Sequence, residues 1–373
     1  MKEITKWLNE SIYLNSLSSA CEMCAKGSKM VILVTGLCPS NCFYCPLSFK
    51  KGGKDLIYAD EWKLSVENDT KKLIKEAELI NAEGAGITGG DPLIVWQRTI
   101  KYIKLLKKNF GGEFNIHLYT SAQKNSKYIP KIVEAGLDEI RFHPFLKYWS
   151  DMDKSPLSKV IKKTKKLNIE VTIEIPSIPN MNKELFSLVK WSEKHNLDHI
   201  NLNELEFSER NCNNLLKRNY ELKNEISAGV LGSQKTAYNI IKLAQSKDYT
   251  VGIHYCSVSF KDGIQLKNRI KRRAKNIVKD FEVISKEGTI IKGAIDLENK
   301  SKNTIMNLLT NKFKIPKKFI FLDKEKNQIE VALWILEEIS NRLKKEGYKS
   351  YLIEEYPTAD RLEVERIPLP IST

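Results

Sequence analysis

Short apolar runs rich in β-branched residues alternate along the chain with longer stretches whose apolar positions recur at a helical period. The runs predict strands at residues 30–34, 86–88, 114–120, 139–143, 170–175, 199–205 and 249–255. The stretches predict helices at residues 65–83, 98–109, 128–135, 157–167, 183–195 and 234–247. A helix in every gap indicates repeated βαβ units and a parallel sheet. We therefore expect an α/β fold, a partial or near-complete (β/α) TIM-like barrel.

Polar residues collect where these predicted strands end. Residues 89–91 follow the second strand, and Ser121, Arg141 and Glu174 lie at the ends of the third, fourth and fifth. In parallel α/β folds the loops after the strands converge on one rim, where ligands bind. The pattern predicts a ligand site at that rim.

The pattern changes near residue 281. A hairpin is predicted at 281–295, turning at 286–288. Further elements are predicted as a helix at 301–312, a strand at 318–323, a long helix at 328–345, and strands near 351–355 and 362–367. This region has no cysteine or histidine. The predicted organisation is an N-terminal segment at 1–28, a barrel at 29–262, a basic helical connector at 263–280 and a small α+β domain at 281–373.

The formal net charge of +15 allows two interpretations. Lysine dominates the basic residues and only ten are arginine, which fits either a solvated surface from an AT-rich genome or a nucleic-acid binder. Residues 261–280 carry eight basic and two acidic side chains, including Arg269, Arg272 and Arg273. A helix this basic could contact the phosphates of tRNA or lie in solvent.

Two features bear on the compartment. No run approaches the ~18 uninterrupted apolar residues of a membrane helix, and the N-terminal residues lack the pattern of a signal peptide. We expect a cytoplasmic protein without a membrane partner.

Five of the seven cysteines fall within residues 21–45. In a long cytosolic chain such clustering favours metal binding over a disulfide framework.

Cys38, Cys42 and Cys45 form a C-x3-C-x2-C motif directly after the first strand. The motif supplies three thiolates on one turn, one fewer than complete protein ligation of a 4Fe–4S cluster requires. The remaining iron could bind a substrate or cofactor. Zinc is the alternative, although structural zinc sites usually use paired C-x2-4-C elements.

This motif, with Gly89-Gly90-Asp91-Pro92 after the second strand, resembles the radical S-adenosylmethionine (radical SAM) superfamily. The segments around them are similar to an archaeal group related to pyruvate formate-lyase-activating enzymes. The resemblance implies a 4Fe–4S cluster and S-adenosylmethionine (SAM), which is cleaved reductively to a 5′-deoxyadenosyl radical that abstracts hydrogen from a substrate. It also implies a reductant protein such as ferredoxin or flavodoxin.

In that superfamily the glycine motif hydrogen-bonds the amino group of the methionine moiety, and here Asp91 stands in place of the usual glutamate. Residues at the ends of the third to fifth strands are candidate contacts to the ribose or carboxylate. The implied cofactor-binding set is Tyr44, Gly89, Gly90, Asp91, Ser121, Arg141 and Glu174.

Four further cysteines suggest a second site. Cys21 and Cys24 form a C-x2-C pair before the first strand, Cys256 ends the seventh strand, and Cys212 follows the sixth. If the seventh strand neighbours the first, these thiols could hold a second iron–sulfur cluster or zinc, with His254 as a substitute ligand. The alternative is that Cys212 and Cys256 are small buried apolar side chains.

Candidate substrate contacts are His143, Asn203, Glu204 and Glu206. Asn203 lies on one face of its strand and the two glutamates on the other; we expect Glu204 or Glu206 to be functional because unpaired buried carboxylates are costly. Two enzyme hypotheses follow: modification of tRNA, and activation of a protein or conversion of a small metabolite. A non-catalytic iron–sulfur or zinc binding protein is the third.

Overall fold

An eleven-stranded, mostly parallel sheet dominates the computed structural model, which describes residues 3–297 and 301–370. Residues 1–2 of the predicted N-terminal segment, and residues 298–300 and 371–373 of the predicted α+β domain, lie outside the described residues. The chain divides into two compact units, Met1–Leu266 and Lys267–Thr373. The basic residues 267–277 therefore belong to the second unit.

Over residues 3–266, the first unit contains thirteen strands, of which eleven form the large sheet. They are β1 (Ile4–Lys6), β2 (Ile12–Leu14), β3 (Lys29–Thr35), β4 (Ile57–Ala59), β5 (Trp62–Leu64), β6 (Gly84–Gly89), β7 (Asn115–Thr120), β8 (Glu139–Phe142), β9 (Glu170–Ser177), β10 (His199–Glu204), β11 (Leu222–Asn224), β12 (Ser227–Val230) and β13 (Gly252–Cys256). Its helices are α1 (Ser19–Lys26), α2 (Thr70–Leu79), α3 (Trp96–Phe110), α4 (Ile129–Glu134), α5 (Pro156–Thr164), α6 (Asn182–Lys194), α7 (Cys212–Leu216), α8 (Ser233–Ser246) and α9 (Val258–Phe260). A π-helical segment, Lys261–Leu266, follows α9.

Seven parallel strands follow the order β13-β10-β9-β8-β7-β6-β3, which confirms the α/β fold and all seven predicted strands. The seventh parallel strand does not neighbour the first, so the condition stated for a second metal site beside the first strand is not met in this form. The outer edge of β13 pairs antiparallel with β2, and the outer edge of β3 pairs with β4. The N-terminal hairpin thus covers an edge that would otherwise expose unpaired backbone groups.

The two faces of the parallel sheet differ in polarity. In β7 and β8, Ile116, Leu118 and Ile140 point to the face that forms one apolar core with the helices. Their neighbours His117 and Arg141 are also buried but point to the opposite face, because successive side chains of a strand alternate. The parallel strands therefore enclose a polar face, and α1 packs against it beside β3, β6 and β7.

The second unit is an antiparallel sheet with helices, which confirms the predicted C-terminal sheet domain. The strands follow the order β16-β17-β15-β18-β19, with β14 paired to β15. They are β14 (Val283–Ile284), β15 (Ile290–Asp296), β16 (Ile320–Asp323), β17 (Gln328–Val331), β18 (Ser350–Glu355) and β19 (Glu363–Leu369). The helices are α10 (Lys267–Ile277), α11 (Lys302–Asn307) and α12 (Leu333–Lys345).

The prediction of a single helix over 328–345 is wrong at its start. Residues 328–331 form β17, and the helix α12 begins at Leu333. Ile329 and Val331 alternate with polar neighbours and enter the apolar core of this unit. The alternating residues of β17 continue the apolar pattern of the amphipathic helix α12. The sequence pattern therefore did not mark the boundary between the strand and the helix. No helix among the described residues is long and apolar enough to cross a membrane.

We predict that Ile140→Ala lowers the free energy of unfolding by about 2–5 kcal/mol, because it leaves a cavity in the fully buried face between sheet and helices. Lys163→Ala on the exposed side of α5 is the control and should change stability by no more than about 0.5 kcal/mol. Urea denaturation followed by circular dichroism measures both. Equal effects of the two substitutions would contradict the assignment of faces.

Candidate functional site

The loop that follows β3 carries three of the free cysteines. Cys38 is exposed, whereas Cys42 and Cys45 are half-buried. The Cys45 amide donates to the Cys42 carbonyl at 3.1 Å, and the Ser40 amide lies 3.4 Å from the Cys38 sulfur. We call residues 36–46 the cysteine loop. The turn brings the thiols of one short segment to the carboxyl edge of the sheet.

The donor set of the cysteine loop is chemically suited to an iron–sulfur cluster. It consists of three free thiols on one turn, and thiolates are the protein ligands of 4Fe–4S clusters. Burial raises the pKa of Cys42 to about 11 and also raises that of Cys38. Metal ligation requires thiolates and would release these protons.

The glycine pair after β6 fastens the cysteine loop to the sheet. The Gly90 amide donates to the Thr35 carbonyl at 2.7 Å, and the Asp91 amide donates to the Leu37 carbonyl at 2.8 Å. A Cβ atom on Gly90 would lie 2.1 Å from the Leu37 carbonyl oxygen. Only glycine allows this close approach.

Asp91 is 1% exposed and its carboxylate is fully engaged. It accepts from the Leu93 amide at 3.0 Å, the Thr120 hydroxyl at 2.7 Å, and the amide and hydroxyl of Ser121 at 3.1 and 2.7 Å. A carboxylate offers about four acceptor positions. Asp91 therefore joins the ends of β6 and β7, and Ser121, also a predicted cofactor contact, is its partner.

Tyr44 and His143 connect the cysteine loop to the middle of the sheet. His143 Nδ1 lies 2.8 Å from the Glu174 carbonyl, and Nε2 lies 2.9 Å from the Tyr44 hydroxyl. Because a carbonyl only accepts, Nδ1 carries the proton and Nε2 accepts from tyrosine. Burial lowers the pKa of His143, which favours this neutral form.

Asn211 is a further anchor of the cysteine loop that the sequence did not reveal. Its buried amide donates to the Tyr44 carbonyl at 3.1 Å and to the Glu206 carbonyl at 2.9 Å. No motif or strand periodicity marks an asparagine in this region. Its role follows from a contact between segments far apart in sequence.

Arg141 lies inside the polar face rather than at the rim. Its guanidinium donates to Glu139 at 2.9 Å, to Glu174 at 2.8 Å and to the Ser18 hydroxyl at 2.8 Å. Burial opposes the ionisation of Glu139, but the Arg141 charge prevails and holds its pKa below the usual range. Glu139, which no motif marks in the sequence, is thus a charged partner inside the sheet.

Of the residues 203–206, only Asn203 joins this interior. Its amide donates to Glu174 at 2.9 Å. Glu204 instead accepts from the Val258 amide at 2.8 Å, and Glu206 pairs with Lys261 at 2.8 Å. The structure thus brings Asn203, but neither glutamate, into contact with Glu174, and the functional role expected of Glu204 or Glu206 stays a prediction.

Three of the four remaining cysteines face the polar interior. Cys21 and Cys24 lie on α1 and Cys256 ends β13. Burial raises the pKa of Cys256, and the neighbouring thiols of Cys21 and Cys24 raise it further. Burial also raises the pKa of Cys24 to about 11. Cys212 is half-buried at the start of α7, next to Asn211.

The predicted nucleic-acid contacts lie on α10 in the second unit. Arg269 and Arg272 are half-buried. Arg273 is only 7% exposed and donates to the Pro357 carbonyl within its own unit. This burial corrects the assignment of Arg273, because its side chain is directed into the protein rather than toward solvent.

Two family models match the chain. Residues 32–191 match the radical SAM superfamily, and residues 288–369 match a domain of unknown function, DUF8061. The Methanocaldococcus jannaschii protein named "Putative glycyl-radical enzyme activating enzyme MJ0021" is 38% identical over 377 residues, which cover 99% of this chain and 96% of that protein. The chain belongs to the radical SAM superfamily. The full-length relative also confirms the resemblance to archaeal proteins related to activating enzymes.

Two solved structures show partial structural similarity to this chain. Streptococcus suis SuiB bound to SAM aligns with a TM-score of 0.44 and 11% identity, over 62% of this chain and 50% of SuiB. The methyltransferase TsrM from Kitasatospora setae aligns with a TM-score of 0.35 and 10% identity, over 50% of this chain and 38% of TsrM. The chain thus spans half or less of these proteins, and its membership of the family rests on the family model and the archaeal relative.

We predict that Gly90→Ala in this radical SAM enzyme lowers the iron retained after anaerobic reconstitution and destabilises the fold by about 1–3 kcal/mol. The added methyl group would displace the Leu37 carbonyl and with it the cysteine loop. Gly112→Ala is the matched control, since its Cβ would meet no atom within 4 Å. Iron retention equal in both variants would contradict the role of Gly90.

Proposed function

We propose that this radical SAM enzyme holds a 4Fe–4S cluster with Cys38, Cys42 and Cys45 and binds SAM beside it. The observation that supports this most directly is a pair of backbone hydrogen bonds that attach the glycine motif to the cysteine loop and the strand before it. The Gly90 amide donates to the carbonyl at the end of β3, and the Asp91 amide donates to a carbonyl of the loop. When held by these three thiolates, a reduced cluster would supply the electron that cleaves the C5′–S bond of SAM, giving methionine and a 5′-deoxyadenosyl radical that would remove hydrogen from the substrate.

The chain's own residues position this site. Asp91 fixes Ser121 at the end of β7, and Tyr44 links the cysteine loop to His143. Phe43 of the loop is packed against neighbouring side chains: the Arg218 guanidinium lies 4.3 Å from the centre of the Phe43 ring, and the Tyr220 ring lies parallel to it with the ring centres 6.5 Å apart.

Reconstituted wild-type protein given dithionite and SAM should release 5′-deoxyadenosine, measured by liquid chromatography. Cys42→Ala should abolish the product, because it removes a thiolate ligand of the cluster. Cys212→Ala is a matched control outside the cysteine loop and should retain it. Absence of product from iron-loaded wild-type protein would contradict the proposed catalysis.

For the substrate, we propose a glycine residue of a partner protein, by analogy with the name of the archaeal relative. Removal of one hydrogen atom from the glycine Cα would leave a glycyl radical and 5′-deoxyadenosine. The electron would come from a reductant protein such as ferredoxin or flavodoxin. A small metabolite is the alternative substrate.

The basic helix α10 supports tRNA as a second candidate substrate. If tRNA binds there, affinity should fall steeply with salt, since phosphate contacts release counterions. Arg269→Ala/Arg272→Ala should weaken binding more than Lys344→Ala/Lys345→Ala, a control that removes the same charge from the end of α12. Filter binding with total tRNA measures both. Binding that responds neither to salt nor to the arginine substitutions would rule out this surface.

A further inference from the structure

Three thiols outside the cysteine loop meet on the polar face although they come from distant parts of the sequence. Cys21 and Cys24 lie one helical turn apart on α1, so they share a side of that helix. Cys256 is the last residue of β13. The helix α1 packs against Lys261–Leu266, and Gln265 of this segment lies 3.9 Å from the Cys256 sulfur.

A series of contacts across the polar face links Cys256 of β13 to Cys21 of α1. Cys256 is the register partner of Asn203 in the neighbouring parallel strand, so both side chains point to the polar face. Asn203 donates to Glu174 at 2.9 Å, and Arg141 donates to Glu174 at 2.8 Å. The other end of the Arg141 guanidinium lies 3.5 Å from the Cys21 sulfur.

The same region holds polar atoms that have no hydrogen-bond partner among the described residues. His254, two residues before Cys256, is 4% exposed and both of its ring nitrogens are unpaired. Asn201 is the register partner of His254 in the neighbouring strand β10, and its side-chain carbonyl oxygen is also unpaired. Nδ1 of His117 is unpaired as well. Since buried polar groups are normally satisfied, the nitrogens of His254 are candidate ligands for a group other than protein.

We propose that Cys21, Cys24 and Cys256 hold a second iron–sulfur cluster of the 4Fe–4S type, with His254 as the fourth donor. His254 and Cys256 point to the same face because they are two positions apart in β13. The Arg141 guanidinium donates to the Cys21 sulfur, and hydrogen bonds to ligand sulfurs tune iron–sulfur centres.

Cys212 is not a ligand in this proposal. It begins α7, its amide donates to the Ser208 carbonyl at 3.0 Å, and the preceding Asn211 holds the cysteine loop. Cys212 is a half-buried free thiol that belongs neither to the cysteine loop nor to the interior thiols. The substitution Cys212→Ala therefore serves as the matched control for every cysteine substitution below.

The experiment measures iron, sulfide and zinc per chain after anaerobic reconstitution of the full chain. The triple variant Cys38→Ala/Cys42→Ala/Cys45→Ala should retain about four irons and four sulfides, because it leaves the interior thiols intact. Cys21→Ala/Cys24→Ala should also retain about four irons, whereas wild type and Cys212→Ala should bind about eight.

Loss of all iron from the triple variant would overturn the second cluster, and so would zinc in place of iron. This variant keeps α1 and β13 unchanged, so the result does not depend on the folding of the interior variants. The proposed catalytic cluster is tested separately: iron that survives in the triple variant but disappears entirely from Cys21→Ala/Cys24→Ala would contradict the cysteine loop as its site.

His254 has its own readout in the triple variant, where only the interior cluster remains. Nitrogen hyperfine coupling from a histidine ligand should appear in pulsed electron paramagnetic resonance of the reduced cluster, and His254→Ala should remove it. A spectrum without this coupling, or one left unchanged by His254→Ala, would overturn the assignment of the fourth donor while leaving the iron count to decide on the cluster.

Discussion

The first unit depends on a buried cation. The Arg141 guanidinium lies between Glu139 and Glu174 and also reaches Ser18 at the start of α1. Removing one partner of a buried ion pair costs about 3–5 kcal/mol, because a charge is left uncompensated in a region of low dielectric. A parallel sheet normally fills its interior with apolar side chains. Here the charged group gives α1 a fixed position on the polar face, and the thiols of that helix are fixed with it.

A second constraint acts at the carboxyl edge, where backbone atoms rather than charges make the contact. The cysteine loop is held because Gly90 leaves room for the Leu37 carbonyl and because Asp91 ties β6 to β7. Asn211 holds the opposite side of the same loop. The loop that carries the three thiols is thus fixed from several strands, as a site built for chemistry requires.

Local patterns were sufficient for the parallel strands, their helices and the cysteine loop. Each of these is specified within a short stretch of sequence. The strands and helices follow from the period of their apolar residues, and the cysteine loop follows from the spacing of its cysteines. Contacts between distant segments were not predictable. The pairing of β2 with β13, the burial of Arg273 against Pro357, and the anchoring of Tyr44 by Asn211 depend on partners far away along the chain. Asp91 was read from a motif as a ligand contact, whereas its hydrogen bonds show a role in joining strands.

The pairing of β2 with β13 has a consequence for the order of events during synthesis. Residues 12–14 leave the ribosome early, yet their strand partners, residues 253–255, emerge only near the end of the first unit. The strand β2 must therefore wait without its partner in β13 while the central strands assemble, since non-local pairs form late. Cys256 ends β13, so it is the last of the three interior thiols to be made. A cluster held by Cys21, Cys24 and Cys256 would therefore form only after β13 has been synthesised.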